Sequence, residues 1–484
     1  MIGCINLNQG HAPEDLAIQR QSPVTREGRL LLHTREKPYD DGSLLVAVEG
    51  VISRVSGAAA HALRRPEALV ADLYRQRGEA FVECLDGLYF IFLWDRSKDL
   101  FLLINNPYQT TTAYFHEGAE RLLFAKHLTD IARNLPGGVE VDLRAVKSYL
   151  ANGFNMSDWT TARGIRKLQP TFRVRVERGV VGLRNHWDRE LSQERTPFED
   201  LETHLDRYET LYRQGMSDYL DQRRPGELGC LMSGGHDTSF AFLQGSQVFH
   251  KPLHAFTATF PGWSFNEEGP SRAICEKFGG TFHPVPFLPG DLDYMVCLIR
   301  ALEEPMASSA LPIHLVMKEA AEHVDLMMGG DGGDTLWGEY YPVAEINRWV
   351  RHLPLGVRRM LHGASRAMLR VSDWERLWEL EHASSLFARE DCYADFLRRL
   401  CTYRHFRDDL LSRLMDPEVY RSNPYARNVI DVPHGPETLF EDLIASKMFN
   451  GFYPYMSFYT TKSSEYYGMD LYLPTVQLDV IRFI

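Results

Sequence analysis

The sequence predicts an α/β protein in two parts: stacked β-sheets first, then a doubly wound parallel sheet carrying a helical insertion. Three observations lead there. Short apolar runs at 44–48, 88–93, 100–104 and 122–124, broken by turn pairs at Asp41-Gly42 and Asp86-Gly87, have the texture of sheet strands. The stretch 184–200 is polar and marks a linker between domains expected at 1–190 and 200–484. Beyond it, apolar strand-length runs alternate with helical spacing, which requires a parallel sheet with helices on both faces.

Taken in order, residues 143–150 have helical spacing and 172–181 alternate like a closing hairpin. A long helical pattern over 203–219 leads into 228–232, a buried-looking strand that ends in glycines and reopens as a helix. The alternation recurs as strand 254–260 with helix 268–278, and as helix 315–322 with strand 324–328. From 344 to 414 the chain is dense in Arg, Leu and Trp at helical spacing, which predicts an amphipathic helical cap.

Composition limits the function. With 484 residues the chain has room for two or three domains. Its 53 basic and 65 acidic residues give a net charge of -12, a field that repels nucleic acid and anionic lipid, so neither is an expected partner. Any phosphate must be held locally. The seven cysteines (4, 84, 230, 275, 297, 392, 401) form no CxxC pair and read as reduced thiols. No run approaches the roughly 20 apolar residues of a membrane helix, and the N-terminus has no signal-peptide pattern, so a cytoplasmic location is expected. The 18 histidines show no HxH or HExxH spacing, which gives no support to a histidine-bound catalytic metal.

The most informative segment is Cys230-Leu231-Met232-Ser233-Gly234-Gly235-His236-Asp237-Thr238-Ser239. A strand running through Ser-Gly-Gly into a helix leaves backbone N–H groups at a helix N-terminus, where partial positive charge holds phosphate. Asp237 adds a carboxylate beside those phosphates, which makes sense with Mg²⁺ between the two sets of negative charge. The alternative is a glycine turn capped by Asp or Thr. His236 is a general base or, on the stronger reading, a spacer at a variable position.

The Ser-Gly-Gly-x-Asp-Ser/Thr-Ser loop resembles the pyrophosphate loop of N-type ATP pyrophosphatases, and nearly the whole chain resembles the asparagine synthetase family. Leu302-Glu303-Glu304-Pro305 followed by Ser309-Ala310-Leu311-Pro312 is similar to that family's segment between sheet strands. Gly330-Asp331-Gly332-Gly333-Asp334-Thr335-Leu336-Trp337-Gly338-Glu339-Tyr340 resembles its Gly-Asp-Gly-Gly-Asp-Glu-Leu-Phe-Gly-Gly-Tyr loop. Leu85-Asp86-Gly87 through Leu93-Trp94-Asp95-Arg96, then 164–168 and Trp187, resemble the glutaminase-type half. The resemblance implies an N-terminal Ntn-hydrolase-like αββα sandwich, here degenerate, and a C-terminal ATP pyrophosphatase domain of the adenine nucleotide α-hydrolase-like fold.

Departures narrow this further. A working glutaminase of the family begins Met-Cys-Gly, whereas this chain begins Met1-Ile2-Gly3-Cys4, so Met removal does not expose Cys4 as an N-terminal nucleophile. The family's Asn-Gly-Glu-Ile segment is represented by Glu49-Gly50-Val51-Ile52, and its Arg-Asp-x-x-Gly turn by Asn105-Asn106-Pro107-Tyr108. Glutamine hydrolysis is therefore not expected, and Cys4 reads as a small core residue.

The resemblance implies ATP and Mg²⁺ as cofactors and a reaction through an acyl-adenylate. Ser233, Gly234, Gly235, Thr238 and Ser239 are expected to hold pyrophosphate, Leu231 to offer backbone to adenine with Phe260 as apolar neighbour, and Gly330 to line the nucleotide. Asp237 and Asp334 are expected to share Mg²⁺, or else to cap helices. Asp331 is placed to orient or deprotonate an amine. Glu339, Tyr340 and Tyr341 are site candidates or packing residues. Lys462, in Thr460-Thr461-Lys462-Ser463-Ser464, falls at the family's basic position as a point charge for phosphate, or else is a solvated helix lysine; the family's second Arg is Tyr472. The chain ends at Ile484, ahead of the segment where relatives carry a loop Lys, so that group is expected from elsewhere or from a longer chain.

Loss of glutaminase residues with retention of ATP loops is the pattern of lasso peptide cyclases and β-lactam synthetases. The expected substrate carries a carboxylate and an amine, and the long stretch 341–459 favours a peptide closed into a macrolactam, with a leader-peptide protease as partner. Alternatives are β-lactam closure, ammonia-dependent asparagine synthesis, and a non-catalytic binding homologue.

Overall fold

The computed structural model describes residues 1–8, 16, 24–35, 37–56, 58–59, 65–106, 112–156, 158–185, 200–263, 266–306, 310–337, 350, 352–368, 384, 388, 408–421 and 455–484. Trp187, Ser309, Pro107, Tyr108, Glu339, Tyr340 and Tyr341 lie outside them, as do most of the expected linker and most of 341–459.

The early apolar runs form two antiparallel sheets. In one, strands pair in the spatial order Ile165–Lys167, Tyr114–Glu117, Arg121–Ala125, Ile2–Asn6, Leu30–His33 and Val24–Glu27. In the other the order is Val180–Asn185, Phe172–Glu177, Leu100–Asn105, Leu85–Asp95, Leu44–Val55 and Tyr39–Asp40, with Ala58–Ala59 on Leu44–Val55. Several strands are apolar on both faces because each sheet is covered twice. Phe92 stacks on Phe124 across the layers with centroids 5.5 Å apart. The outer face of the second sheet packs against helix Pro66–Arg77 through Val70 and Tyr74, and that of the first against Leu128–Ala132 through Leu128 and Ile131. This is an αββα sandwich of the Ntn type.

The later runs form a five-stranded, wholly parallel sheet in the order Thr281–Pro286, His254–Thr259, Leu228–Leu231, Leu326–Met328, Asp470–Tyr472. The chain moves outward from Leu228–Leu231 in one direction, then returns to its other side with Leu326–Met328. The strand order therefore reverses between these two strands, and ligands of open α/β sheets bind beyond the carboxyl ends at such a switch point. Gly229 is required in the central strand: a Cβ there would lie 2.3 Å from Met327 Sδ. Helix Leu201–Arg223 starts at Asp200, whose Oδ1 accepts from Thr203 N at 3.0 Å, an N-cap within the expected linker. Tyr472 stacks on Tyr219 of that helix, centroids 3.9 Å apart and 4° from parallel.

Compactness divides the described chain into two units, 1–142 with 158–333 and 456–484, and 143–157 with 334–455. Both sheet systems belong to the first unit. The second contains helices Leu143–Asn152, Leu355–Met368, Asp408–Leu414 and Pro417–Arg421, with Phe154 stacked on Tyr455 at 5.0 Å. No described helix is long and apolar enough to cross a membrane.

Candidate functional site

The strand Leu228–Leu231 is buried throughout, and its chain direction delivers Met232–Gly235 to the sheet's carboxyl edge. The Met232 carbonyl is fixed there by Thr257 Oγ1, which donates to it at 2.8 Å. Gly234 turns the chain with φ +73°, where a Cβ would stand 2.7 Å from Pro270 Cβ. Helix His236–Val248 then begins on Gly235, with no side-chain cap, so its N-terminal dipole is presented outward. The loop is braced from within: Ser233 N donates to Thr238 Oγ1 at 3.2 Å, and Ser239 Oγ to the Gly235 carbonyl at 2.6 Å. His236 is exposed at the first helical position.

The second loop follows Leu326–Met328 across the switch point and closes on the first. A Cβ on Gly330 would fall 2.5 Å from Asp237 C and Thr238 N, and one on Gly333 would fall 2.3 Å from Asp237 Cγ. The second loop can approach the Asp237–Thr238 backbone and the Asp237 carboxylate this closely only through glycines. The structure thus brings Ser233, Gly234, Gly235, Asp237, Thr238, Ser239 and Gly330 together with Leu231. Asp331 follows on the same loop, half-buried. Asp334 is exposed and belongs to the second compact unit. Phe260 follows the neighbouring strand, its ring 5.9 Å from Phe287.

Lys462 has different surroundings from those expected. It is 1% exposed on helix Phe458–Tyr466, so it is not a solvated lysine. Its Nζ donates to Glu303 Oε2 at 2.6 Å and lies 5.3 Å from the Tyr114 ring centre; neither contact is to the two loops. Glu303 occupies the left-handed region, φ 59°, at the end of helix Met295–Leu302, a conformation that costs a non-glycine residue about 1 kcal/mol or more. The turn aims its carboxylate at the amides of Leu128 and Thr129, which donate at 3.1 and 3.0 Å. Burial alone would raise this carboxyl's pKa, but the Lys462 ammonium and hydrogen bonds from His127, Lys462 and Thr129 hold it well below the usual range. Glu303 was legible only as part of a motif, because its role depends on partners more than 150 residues away. Gly333 is likewise legible in the sequence only as part of its motif.

Cys4 lies mid-strand between Leu31 and Leu123 with 0% exposure. Burial pushes its thiol up to about 11 against the opposing charge of Arg121, which leaves almost no thiolate near neutral pH.

Comparison with known proteins agrees with this architecture. A family model described as Asparagine synthase matches residues 220–424, and one described as Glutamine amidotransferase domain matches 66–187. Asparagine synthetase [glutamine-hydrolyzing] 1 of Bacillus subtilis is 23% identical over 305 residues, 61% of this chain and 46% of its own length. A Mycobacterium tuberculosis protein provisionally named asparagine synthetase [glutamine-hydrolyzing] is 25% identical over 342 residues, 68% of this chain and 51% of its own. The chain thus spans about half the length of these relatives. Among solved structures, glutamine phosphoribosylpyrophosphate amidotransferase from B. subtilis, complexed with ADP and GMP, aligns over 64% of each chain at 7% identity and a TM-score of 0.23, too low to bear on function. Both domain matches fall in the order in which the two sheet systems occur, and with these relatives they support a member of the asparagine synthetase family.

Proposed function

We propose that the protein is an ATP-dependent, AMP-forming amide synthetase that joins a carboxylate and an amine of its substrate, most specifically a peptide closed into a macrolactam as in lasso peptide biosynthesis. The observation that carries the reading is the pair of glycine loops meeting around Asp237 at the switch point. A carboxylate buttressed by glycine backbone beside an uncapped helix N-terminus suits a triphosphate bound through a cation, since the carboxylate alone would repel it. The donor set is hard oxygen, which fits Mg²⁺. Asp237 is the ligand the loops hold in position, and Asp334 is kept as the second ligand on the sequence resemblance alone. Bound there, Mg²⁺ would neutralise charge on the departing pyrophosphate.

In this reading the substrate carboxylate oxygen attacks the α-phosphorus of ATP, the bond to the bridging oxygen breaks, and pyrophosphate leaves. Ser233, Thr238, Ser239 and the amides of Gly234 and Gly235 orient its oxygens. The amine nitrogen then attacks the acyl carbon, AMP leaves, and Asp331 orients the amine and takes its proton. Phe260 and the Leu231 backbone are assigned to adenine. Lys462 acts through Glu303 as a positioning residue rather than as a phosphate ligand.

The amine is assigned to the substrate itself because Cys4, sealed between two strands with its thiol pKa raised by burial, does not suit a glutaminase nucleophile. The partner expected with this reading is a protease that trims a leader peptide. The experiment is to incubate the protein with Mg²⁺, ATP and peptides bearing an N-terminal amine and an acidic side chain. AMP and pyrophosphate formed in step with loss of one water from the peptide support the reading. AMP formed only with aspartate and ammonium chloride would assign ammonia-dependent asparagine synthesis, and absence of Mg²⁺-dependent ATP binding would overturn both.

A further inference from the structure

At the opposite, amino-terminal edge of the parallel sheet, imidazoles gather from separate segments. His254 opens its strand, His283 lies on the edge strand Thr281–Pro286, and His323 follows helix Ala310–Ala320, which carries Glu319 one turn earlier. Ligand atoms of His283, Glu319 and His323 all lie within 4.8 Å of one another. Among the described residues this is the one such group. Ring packing holds it together, with His283 4.4 Å from His323 and 4.5 Å from Phe256 between centroids.

We propose that His283, Glu319 and His323 form a binding site for a borderline transition-metal cation of the Zn²⁺ type, with solvent completing the coordination. Two imidazoles and one carboxylate are the ligand types such ions prefer, whereas Mg²⁺ and Ca²⁺ favour all-oxygen sets. A second layer supports the assignment. His283 Nε2 lies 2.9 Å from His254 Nδ1, and His254 Nε2 lies 3.8 Å from Glu227. The Glu227 carboxylate favours a proton on His254 Nε2; His254 Nδ1 then accepts from His283 Nε2, leaving the lone pair on His283 Nδ1. Carboxylate and histidine relays of this kind orient metal ligands and fix their tautomers. Glu319 and His323 are 51% and 35% exposed, so a hydrated ion can reach them. Bound there, the ion would tie the edge strand to the helix end.

The test uses the full chain and Co²⁺ as the spectroscopic probe, with Zn²⁺ competing for it. One Co²⁺ per chain with visible d–d bands, displaced by Zn²⁺, is the expected result. His283→Ala with His323→Ala should abolish the bands, His254→Phe should weaken affinity roughly 10–100-fold, and Asp237→Ala should leave it unchanged. Bands that persist in the double variant, or no bands in the wild type, would overturn the proposal. Should the double variant fail to fold by circular dichroism in EDTA, Glu319→Gln at its exposed position decides: at least tenfold weaker Co²⁺ binding upholds the site, and unchanged affinity refutes it.

Discussion

Replacing Gly333 by Ala adds one methyl group at the contact that defines the candidate site. That carbon would stand 2.3 Å from Asp237 Cγ and 2.4 and 2.5 Å from its two oxygens, where ordinary contact begins near 3.4 Å. The carboxylate or the second loop must therefore move by about 1 Å. A displacement of about 1 Å in a positioned group can lower turnover about 100-fold, equivalent to about 2.7 kcal/mol of transition-state stabilisation. The obstructed atoms are the end of a side chain, which can rotate away, so the cost to folding stays near the low end of the 1–3 kcal/mol range for overpacking. Gly330→Ala is the contrast: its methyl meets the backbone of Asp237 and Thr238 at 2.5 Å, so folding and function should fall together. The assay pairs Mg²⁺-dependent ATP titration and AMP release with denaturant unfolding of each variant. A Gly333→Ala protein with wild-type ATP affinity and AMP release would refute the assignment of Asp237 to the nucleotide.

Three further outcomes follow from buried polar groups. Asp86 Oδ2 accepts from Leu478 N at 3.1 Å, and burial pushes its carboxyl up to about 6. A folded pKa above the unfolded value contributes stability that is complete below about pH 4 and lost as pH rises through 6. Relative to Asp86→Asn, wild-type unfolding free energy should thus fall by on the order of 3 kcal/mol between pH 4 and 7, and parallel profiles would refute this. Lys462→Met leaves Glu303 buried without its cation and should cost roughly 3–5 kcal/mol by denaturant unfolding; adding Glu303→Gln should recover much of that, and additive losses would show the pair uncoupled. Cys4→Ala should leave AMP release unchanged and cost about 1 kcal/mol in stability, while the native thiol resists iodoacetamide at pH 8; glutamate release from glutamine that vanishes in the variant would restore Cys4 as a nucleophile.

What was legible in the sequence had local causes. The parallel sheet followed from apolar runs alternating with helical spacing, and the Ser233–Ser239 loop from glycines whose turn is needed within seven residues. The structure moved the helix expected at 315–322 to Ala310–Ala320, because tertiary burial of Leu311, Leu315 and Val316 outweighs end preferences that fix boundaries weakly. The environment of Lys462 could not be read, since a lysine at helical spacing looks solvated unless its buried partner is known, and Glu303 lies 159 positions away. The histidine cluster was equally hidden. Glu319 and His323 are one helical turn apart, but His283 and His254 come from strands that sheet order brings beside them, so no linear spacing announces the whole group.

The same long-range pairing ties the sandwich to the parallel-sheet system. Lys126 reaches Glu465 at 3.0 Å, Lys167 reaches Glu304 at 2.7 Å, and Arg54 holds both Asp218 at 3.0 Å and Asp479 at 2.6 Å. Each pair joins a residue of the sandwich to one of the later sheet system, and most of these side chains are deeply buried. Burial would raise the pKa of Glu465, yet Lys126 keeps it low; without the sandwich that carboxylate would have no such cation. Removing one partner of a buried pair is far costlier than replacing both, so single steps that would erode the sandwich are each destabilising. Cys4 sits in a strand interior of the sandwich, while the face that supports Glu303, Glu304, Glu465 and Asp479 joins the sandwich to the later sheet system.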